Sequence, residues 1–539
     1  MKVNKPAMKP AEVIAVNPAD TVDDIVAKAA NIVPSPRQLE WQRLEQTAFI
    51  HFGMNTFTGK QIGNGREGPT LFRPDNLDTD QWATTLKNTG FKQAILTTKH
   101  HDGFLLFPSN YSGHSVASST WKGDVVRSFA DSMRKAGLRI GFYLSPADLN
   151  AYYCTEIYAN GSKRRNVTIP SNSKDISGGH TFGFSSDDYN TYYENTLYEL
   201  LTRYGEIHEV WLDGYHPAEL GDHYQEYDFA NWVTMIRTLQ PNAVVFQDGG
   251  PDVRWVGNES VKPRTAEWSP LPYTGDPATA ADTVLTVQDG NSTDDLGSVK
   301  VLGRRKDGKS TWNMLRWAPA ECDATLDATQ DSDGGIHWFW HTNDKWRTVE
   351  ELETFYYDSV GRNCNLLLNV PPNKHGLFED EAVQVLTAFH ARLSSTFTTN
   401  LATGAKAEND NGTVNTEGHT PACMLDTRLD TSWQPTEKTG AIKITLPKAT
   451  TFDVISLQED LAIGQRVETF VIESWSGKAW TTVAEANVIG AKRLVRLNSP
   501  VTANQIRLRI TGSRAEPGIA TFGLFLRPTK TSTGTPNHD

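Results

Sequence analysis

The sequence predicts an α/β protein in which a (β/α)8-type TIM barrel is followed by an antiparallel β-sandwich. Short, apolar, β-branched runs that are typical of strands buried on both faces alternate with helical segments. Strands that alternate with helices form a parallel sheet, and their number here favours closure into a barrel. From about residue 400 the helical periodicity ends, and short alternating runs separated by turn residues predict the sandwich.

Length and charge restrict the domain count and the partners. The chain has 539 residues and a net charge of −12, with acidic and basic residues interspersed. This length exceeds a single core and predicts two or three domains. Nucleic acids and anionic membranes attract basic patches, so neither is expected as the main partner. The four cysteines lack metal-binding spacing and are expected to be free thiols.

The predicted organisation has four parts. Residues 1–36 are expected to form an extended leader with one short helix, residues 37–395 the barrel, residues 400–528 the sandwich, and residues 529–539 a disordered tail. The amino terminus is basic but lacks the apolar core of a signal peptide, and no run approaches transmembrane length. A cytoplasmic location and an export signal already removed both stay open.

The barrel elements follow one another in a strand, loop, helix, strand rhythm. The predicted strands are 47–53, 93–98, 138–145 and 207–212, and further strands are expected at 243–247, 266–269, 312–317 and 364–370. The predicted helices are 23–31, 78–90, 124–136 and 189–204. A long polar insertion is expected between 148 and 188. No glycine-rich phosphate fingerprint follows the first strand, which weakens a dinucleotide-binding interpretation.

The sandwich is predicted from six short alternating runs. They are 441–446, 454–458, 469–474, 479–483, 493–497 and 505–511, separated by Gly, Pro, Asn and Lys. This spacing is typical of antiparallel strands joined by turns.

Two runs of polar residues each close a predicted barrel strand. They are Lys99-His100-His101-Asp102-Gly103 and Val210-Trp211-Leu212-Asp213-Gly214. The carboxyl ends of barrel strands are where barrel enzymes carry their active sites. The histidine pair is compatible with metal ligation, with hydrogen bonding to a sugar or with a purely structural role. Asp213, beside an aromatic ring, is placed as a glycosidase nucleophile would be, and such an enzyme needs a second carboxyl to protonate the leaving oxygen.

Six motifs in the same order resemble the α-L-fucosidases, glycoside hydrolase family 29. They are FIHFGMNTFTG (49–59), KHHDGF (99–104), GFYLSP (141–146), VWLDG (210–214), RWVGNE (254–259) and WAPAECD (317–323). The form of the last two, with Glu-Trp-Ser at 267–269, resembles the subfamily that cleaves α-1,3 and α-1,4 fucose from Lewis-type glycans. The expected substrate is therefore a fucosylated oligosaccharide or glycoprotein glycan.

The resemblance implies a role for each matching residue. Asp213 would be the nucleophile and Glu259 the general acid/base, with Glu267 as its competitor for that role. The positions that hydrogen-bond or flank fucose are His51, His100, His101, Tyr143 and Trp211, with Arg254 and Trp317 as weaker matches. Glu321 and Trp338 would contact the leaving group. No metal and no cofactor are implied for catalysis.

One departure from the family stands next to the first motif. The family usually carries Glu-Trp where this chain has Gln61-Ile62. A neutral Gln61 is expected to bind fucose hydroxyls less strongly, since charged acceptors make stronger hydrogen bonds. Two alternatives to the fucosidase stay open: a metal-dependent hydrolase with His100, His101 and Asp102 as ligands, and a weakly catalytic fucose-binding protein.

The carboxy-terminal region resembles the discoidin-like, family 32 carbohydrate-binding modules. The matching segments are NLATGAKA (400–407), LDTRLDTSWQP (425–435) and IRLRITG (506–512). In that family the second segment often helps to hold a structural calcium ion, which implies a possible calcium site at Asp426, Arg428 and Asp430. Whether this domain binds sugar or only braces the barrel is left open.

Overall fold

The computed structural model describes residues 8–172, 179–217, 220–221, 223–277, 284–285, 296–303, 312–330 and 335–528. Its contacts divide the chain into two units, with the division between Thr387 and Ala388. The predicted tail, 529–539, lies outside the described residues, as do the first seven residues of the predicted leader. Within the described part of the chain, no helix combines the length and the hydrophobicity that crossing a bilayer requires.

The first unit is built on an eight-stranded parallel barrel. Its strands are β1 (Gln46–Ile50), β2 (Gln93–Lys99), β3 (Arg139–Leu144), β4 (Glu209–Trp211), β5 (Val244–Phe246), β6 (Arg254–Trp255), β7 (Ala320–Thr325) and β8 (Cys364–Asn369). The sheet runs in the order β5-β4-β3-β2-β1-β8-β7-β6, and a bridge between Phe246 and Val253 brings its two edges together. The predicted barrel is therefore confirmed.

Helices connect most of the strands. The longer ones are Thr79–Asn88, Val125–Ala136, Asp188–Arg203, Phe229–Leu239, Val349–Ser359 and Asp380–Phe397, and the shorter ones are Val22–Ala29, Pro36–Gln42, Met54–Thr58, Leu149–Tyr153 and Val299–Gly303. Helix Val125–Ala136 illustrates how the sequence sets the start of a helix. The Asp124 carboxylate caps its first turn by accepting a hydrogen bond from the backbone N–H of Arg127. Phe129 and Met133, one turn apart, are both buried, as an amphipathic helix against a sheet requires.

Two expected barrel strands prove wrong. Residues 266–269 are not a strand in the structure, and 312–317 contributes Met314–Trp317 to a separate antiparallel sheet with Val13–Ala15, Pro270–Thr274 and Val284–Leu285. The barrel takes β6 and β7 instead. These runs are short and mostly buried, and several contain charged residues such as Arg254, Glu267 and Glu321, so periodicity alone could not assign each run to its sheet. The polar insertion contains the hairpin Arg165–Ile169 and Phe182–Ser186.

The second unit is an antiparallel six-stranded assembly. Its strands are β9 (Lys406–Asp410), β10 (Gly440–Glu459), β11 (Val467–Trp475), β12 (Trp480–Asn487), β13 (Arg493–Ser513) and β14 (Ile519–Phe525). Pairs of the predicted runs are joined into the long strands β10 and β13, whose register shifts are typical of strands that bend between sandwich layers. The fully buried Trp433 lies in its core. The predicted sandwich is confirmed.

Candidate active site

A small cavity of about 220 Å³ opens where the barrel strands end. Its volume is that of about seven water molecules, which is the scale of a single sugar ring. It is lined by Phe49, His51, Gln61, Ile62, His100, His101, Tyr143, Trp211, Asp213, Tyr215, Glu259, Asp323, Ile336 and Trp338. The structure therefore brings together eight of the ten residues predicted for catalysis and substrate binding.

Asp213 lies two residues beyond the end of β4 and is held by three neighbours. The Tyr143 hydroxyl donates to its Oδ2 at 2.9 Å, and the Tyr215 backbone N–H donates to its Oδ1 at 2.8 Å. Nε2 of His101 stands 3.8 Å from Oδ2. These contacts fix the orientation of a carboxylate in the cavity, which a nucleophile requires.

The glycine after Asp213 is dictated by a close approach. A Cβ on Gly214 would lie 2.1 Å from Oδ2 of Asp248. Burial, followed by the charge of Asp213, raises the pKa of Asp248 to about 6. A larger residue at 214 would therefore have to displace the Asp248 carboxyl group.

Glu259 reaches the cavity from the turn after β6 and differs from Asp213 in its environment. Its residue is exposed at the rim, yet surrounding protein atoms desolvate the carboxyl. Desolvation, and then the charge of Asp213, raises the pKa of Glu259, while a hydrogen bond from the Trp338 side chain works in the opposite direction. A carboxyl whose pKa is raised beside an ionised neighbour suits a general acid.

Two of the cavity histidines, His51 and His100, are held as neutral rings. Burial lowers the pKa of His51 to about 3, and burial with the neighbouring histidines lowers the pKa of His100 well below its usual value. Nδ1 of His51 lies 2.8 Å from Oδ1 of Asn369, and Nδ1 of His101 lies 2.7 Å from Oγ of Ser145. A neutral imidazole donates at one nitrogen and accepts at the other, which matches the needs of sugar hydroxyls.

An aromatic wall closes the inner side of the cavity. Phe49 and Trp211 lie 5.2 Å apart between ring centroids, and the ring of Trp211 stacks on that of Phe246 at 3.9 Å. The Tyr143 ring stacks on Trp211 at 5.3 Å. Such faces pack against the C–H surface of a sugar.

Asp323, on β7, is a lining residue that sequence reasoning did not single out. Its Oδ1 accepts the Trp255 indole N–H at 2.8 Å, and burial beside Glu259 and Asp213 raises its pKa well above the usual value. Its place in the WAPAECD motif was the available signal. Tyr215, Phe49 and Ile336 were also missed, because an apolar or aromatic residue near a motif is as typical of the core as of a site.

Gln61 lines the cavity but uses its side chain to hold the opposite wall. Its Oε1 accepts the backbone N–H groups of Trp338 at 2.8 Å and Phe339 at 3.2 Å. Its Nε2 lies 3.5 Å from Nε2 of His341. The Gln61 amide oxygen is therefore already hydrogen-bonded to the backbone of residues 338 and 339.

Four residues expected near the substrate lie elsewhere. Arg254 is buried and donates to the Glu267 carboxylate and to the carbonyl of Ala318 at 3.2 Å. The Trp317 indole donates to Gln42 at 2.9 Å. Glu321 is fully buried behind the wall, where its Oε2 accepts the Trp211 indole N–H at 2.9 Å. These four residues are therefore supports and not lining residues, because the polar groups of their side chains bond to buried protein groups and not to the cavity.

The geometry does not favour metal binding by His100, His101 and Asp102. The Asp102 carboxylate accepts from the backbone N–H of Phe104 at 2.8 Å and from the Asn55 side chain at 3.2 Å. Among the described residues, the one group of three or more His, Cys, Asp or Glu spaced for a metal ion is His337, His341 and Asp344.

The expected calcium residues in the second unit are largely engaged with one another. Arg428 donates to both oxygens of Asp430 at 2.9 and 2.8 Å, and its backbone N–H donates to Asp426 at 2.9 Å. A cation at Asp430 would have to displace the guanidinium of Arg428, so these side chains are not arranged as calcium ligands. The calcium site stays a prediction.

One small cavity of the barrel contains the carboxyl groups of Asp213 and Glu259, neutral hydrogen-bonding side chains and an aromatic wall. These are the features of a glycoside hydrolase.

Comparison with known proteins identifies the family. The sequence profile described as alpha-L-fucosidase matches residues 37–266, and the F5/8 type C domain profile matches residues 405–522. Alpha-L-fucosidase 1 of Arabidopsis thaliana is 35% identical over 92% of this chain and 87% of its own length.

Solved structures agree. A putative alpha-L-fucosidase from Bacteroides ovatus superposes with a TM-score of 0.77 at 33% identity, covering 98% of this chain and 80% of its own. A family 29 fucosidase from Ruminococcus gnavus, solved in complex with fucose, gives a TM-score of 0.74 at 29% identity, covering 96% and 99%. The chain belongs to the α-L-fucosidase family, glycoside hydrolase family 29, and carries a discoidin-like F5/8 type C domain.

Proposed function

We propose that this α-L-fucosidase is a retaining exo-enzyme that hydrolyses α-1,3- and α-1,4-linked fucose from branched, Lewis-type glycans through a covalent fucosyl-aspartate. The observation that carries the proposal is that Asp213 and Glu259 line one cavity in different environments. Asp213 is fixed by hydrogen bonds to both oxygens, whereas desolvation and the charge of Asp213 raise the pKa of Glu259.

In the first step, Oδ of Asp213 attacks C1 of the bound fucose while Glu259 gives its proton to the departing glycosidic oxygen. The C1–O bond to the glycan breaks, and a β-linked ester forms between fucose and Asp213. In the second step, ionised Glu259 takes a proton from water, and the resulting oxygen attacks C1 and releases Asp213. Two inversions return the α-configuration.

The surrounding residues orient the sugar. His51, His100 and His101 would hydrogen-bond the fucose hydroxyls, and Trp211 would pack against its apolar face. The small, dead-end cavity admits one terminal sugar, which supports exo-action. Trp338 at the edge, beside Glu259, is placed to contact the leaving group. The linkage preference is supported by the sequence motifs around 254–259 and 317–323.

The decisive experiment measures fucose released from a Lewis trisaccharide and from an α-1,2 fucoside by wild type and by the Asp213→Asn variant. We expect release from the branched substrate only, and a loss of more than about a thousandfold in the variant. Asp124→Asn is a matched control, since Asp124 also accepts a tyrosine hydroxyl, from Tyr204 at 3.0 Å, but does not line the cavity. Release from neither substrate, or equal activity of Asp213→Asn and wild type, would contradict the proposal.

A further inference from the structure

Beside the cavity wall lies a second cluster of chemically active side chains that the hydrolytic mechanism does not use. His337, His341 and Asp344 each place one donor atom within 4.8 Å of the others. The cluster sits in the segment that follows β7, and its members flank Trp338, which lines the cavity. It is therefore separate from the catalytic carboxylates but adjacent to the pocket.

A fourth side chain, that of Asp327, contacts His337 of this cluster. Asp327 is fully buried, and its Oδ2 lies 3.4 Å from Nδ1 of His337. That Oδ2 accepts no hydrogen bond in the structure, while Oδ1 accepts the backbone N–H of Thr329 at 2.7 Å. A buried carboxylate oxygen without a donor is costly, unless a cation supplies the missing interaction.

Two of the donor separations match those around a small tetrahedral ion. Four N or O ligands at about 2.1 Å from Zn²⁺ stand about 3.4 Å from one another. Nδ1 of His337 lies 3.0 Å from Oδ1 of Asp344 and 3.4 Å from Oδ2 of Asp327. Two imidazoles and two carboxylates are a donor set typical of zinc, whereas calcium and magnesium prefer oxygen alone.

Residues around the cluster make hydrogen bonds to His341 and Asp344 of the kind that orient metal ligands. Nδ1 of His341 lies 2.9 Å from the carbonyl oxygen of Phe339, and the His341 backbone N–H donates to Oδ2 of Asp344 at 2.7 Å. Such contacts fix ring orientation and carboxylate position around a metal ion. The His341 side chain is 22% exposed whereas that of Asp344 is 2% exposed, so an ion can reach the site from the His341 side.

We propose that Asp327, His337, His341 and Asp344 form a binding site for one Zn²⁺ ion that ties the segment 337–344 to the chain after β7. The ion replaces the proton that His337 and Asp344 share, and it satisfies Oδ2 of Asp327. Because Trp338 and Ile336 line the cavity, the ion also holds one wall of the active site in place. Its role is structural, because the proposed fucosidase mechanism contains no step at this site.

The test uses the full chain, stripped with a chelator and dialysed, and titrates it with ZnCl₂ by calorimetry while the melting temperature is followed. We expect one Zn²⁺ per chain, a Kd of about 1 µM or tighter, and a rise in melting temperature with zinc but not with calcium. The double variant His337→Ala/His341→Ala should lose this binding. His375→Ala is the matched control, since His375 pairs with Asp75 at 2.7 Å on the surface and should leave binding unchanged.

Should the double variant fail to fold, Asp327→Asn, which keeps the shape and removes one charge, should weaken zinc binding at least tenfold. The absence of stoichiometric binding to the wild type would overturn the inference. So would equal affinity of the histidine or Asp327→Asn variants and the wild type, which would place the ion elsewhere, for example at the cavity histidines.

Discussion

At the scale of single residues, two side chains of the same chemistry are given different tasks by their surroundings. Asp213 accepts a hydroxyl and a backbone N–H, and these two hydrogen bonds hold its carboxylate in one orientation in the cavity. Desolvation and the nearby charge of Asp213 raise the pKa of Glu259, which favours the protonated form needed for donation. In the proposed mechanism, the acid and the nucleophile therefore differ in the contacts and the burial of their carboxyl groups.

Replacing Glu259 by Gln should expose its role as the acid. We expect kcat/KM on a Lewis trisaccharide to fall about a thousandfold, whereas formation of the fucosyl-enzyme from fucosyl fluoride, whose leaving group needs no proton, should change little. In the wild type, kcat/KM should fall as pH rises through the raised pKa of Glu259, because the acid loses its proton there. This alkaline limb should be missing in the variant. Equal losses on both substrates would argue against the assignment.

Tyr143→Phe removes the hydroxyl that holds Asp213. A hydrogen bond to a charged group contributes about 1.5–3 kcal/mol, so kcat/KM should fall about ten- to a hundredfold with the fold intact. Tyr204→Phe removes the same kind of bond, from Tyr204 to Asp124 at 3.0 Å, and should leave kcat/KM within about twofold. Equal losses of activity in both variants would show that Tyr143→Phe acts by destabilising the fold and not by releasing Asp213.

At the scale of elements, the cavity depends on a segment that lies outside the barrel strands and that Asn369, at the end of β8, holds by donating to the Trp338 carbonyl at 2.8 Å. Residues 336–341 bring Ile336 and Trp338 to the cavity. The Gln61 side chain accepts the backbone N–H groups of Trp338 and Phe339. The side chain of Gln61 therefore helps to hold this wall of the cavity.

Gln61→Ala should loosen this wall. Two backbone donors lose their acceptor, at about 1 kcal/mol each, so we expect KM to rise about tenfold or more with a smaller change in kcat. Gln81→Ala is the matched control, because Gln81 makes the same kind of contact with the backbone of Phe378, at 3.0 and 3.1 Å, away from the cavity. Unchanged kinetics of Gln61→Ala would show that other contacts hold the segment.

The sequence predicted the elements that periodicity and ordered motifs define. The strands β1 to β5 and β8 follow from short apolar runs, and the eight site residues that line the cavity follow from the ordered motifs and the family that they resemble. Arg254 and Trp317 were misplaced because a motif does not reveal which side of a strand faces the cavity. Asp323 was missed because its partner, the indole of Trp255, is 68 positions away and its contact depends on the tertiary fold.

At the scale of the whole molecule, the chain consists of two units with separate cores. The cavity is built entirely from residues of the first unit, whereas Trp433, Phe452, Phe470 and their neighbours form the core of the second. Stability and activity should therefore respond to different substitutions.

Trp433→Ala tests this separation. Trp433 is fully buried and its indole donates to Asn409 at 3.0 Å, so its loss should destabilise the second unit by about 3–5 kcal/mol. Calorimetry should show one unfolding transition moved to lower temperature, while fucose release below that temperature stays within about twofold of the wild type. A loss of activity in the folded variant would contradict a site confined to the first unit.

The most direct measurement of the central claim is azide rescue of Asp213→Gly. With the carboxylate gone, azide can attack C1 from the vacated face, so the nearly inactive variant should regain turnover and form β-fucosyl azide, of inverted configuration. Glu259→Gly with azide should instead give the α-azide, because the fucosyl-aspartate still forms first. No rescue of Asp213→Gly, or an α-azide from it, would contradict the assignment of Asp213 as the nucleophile.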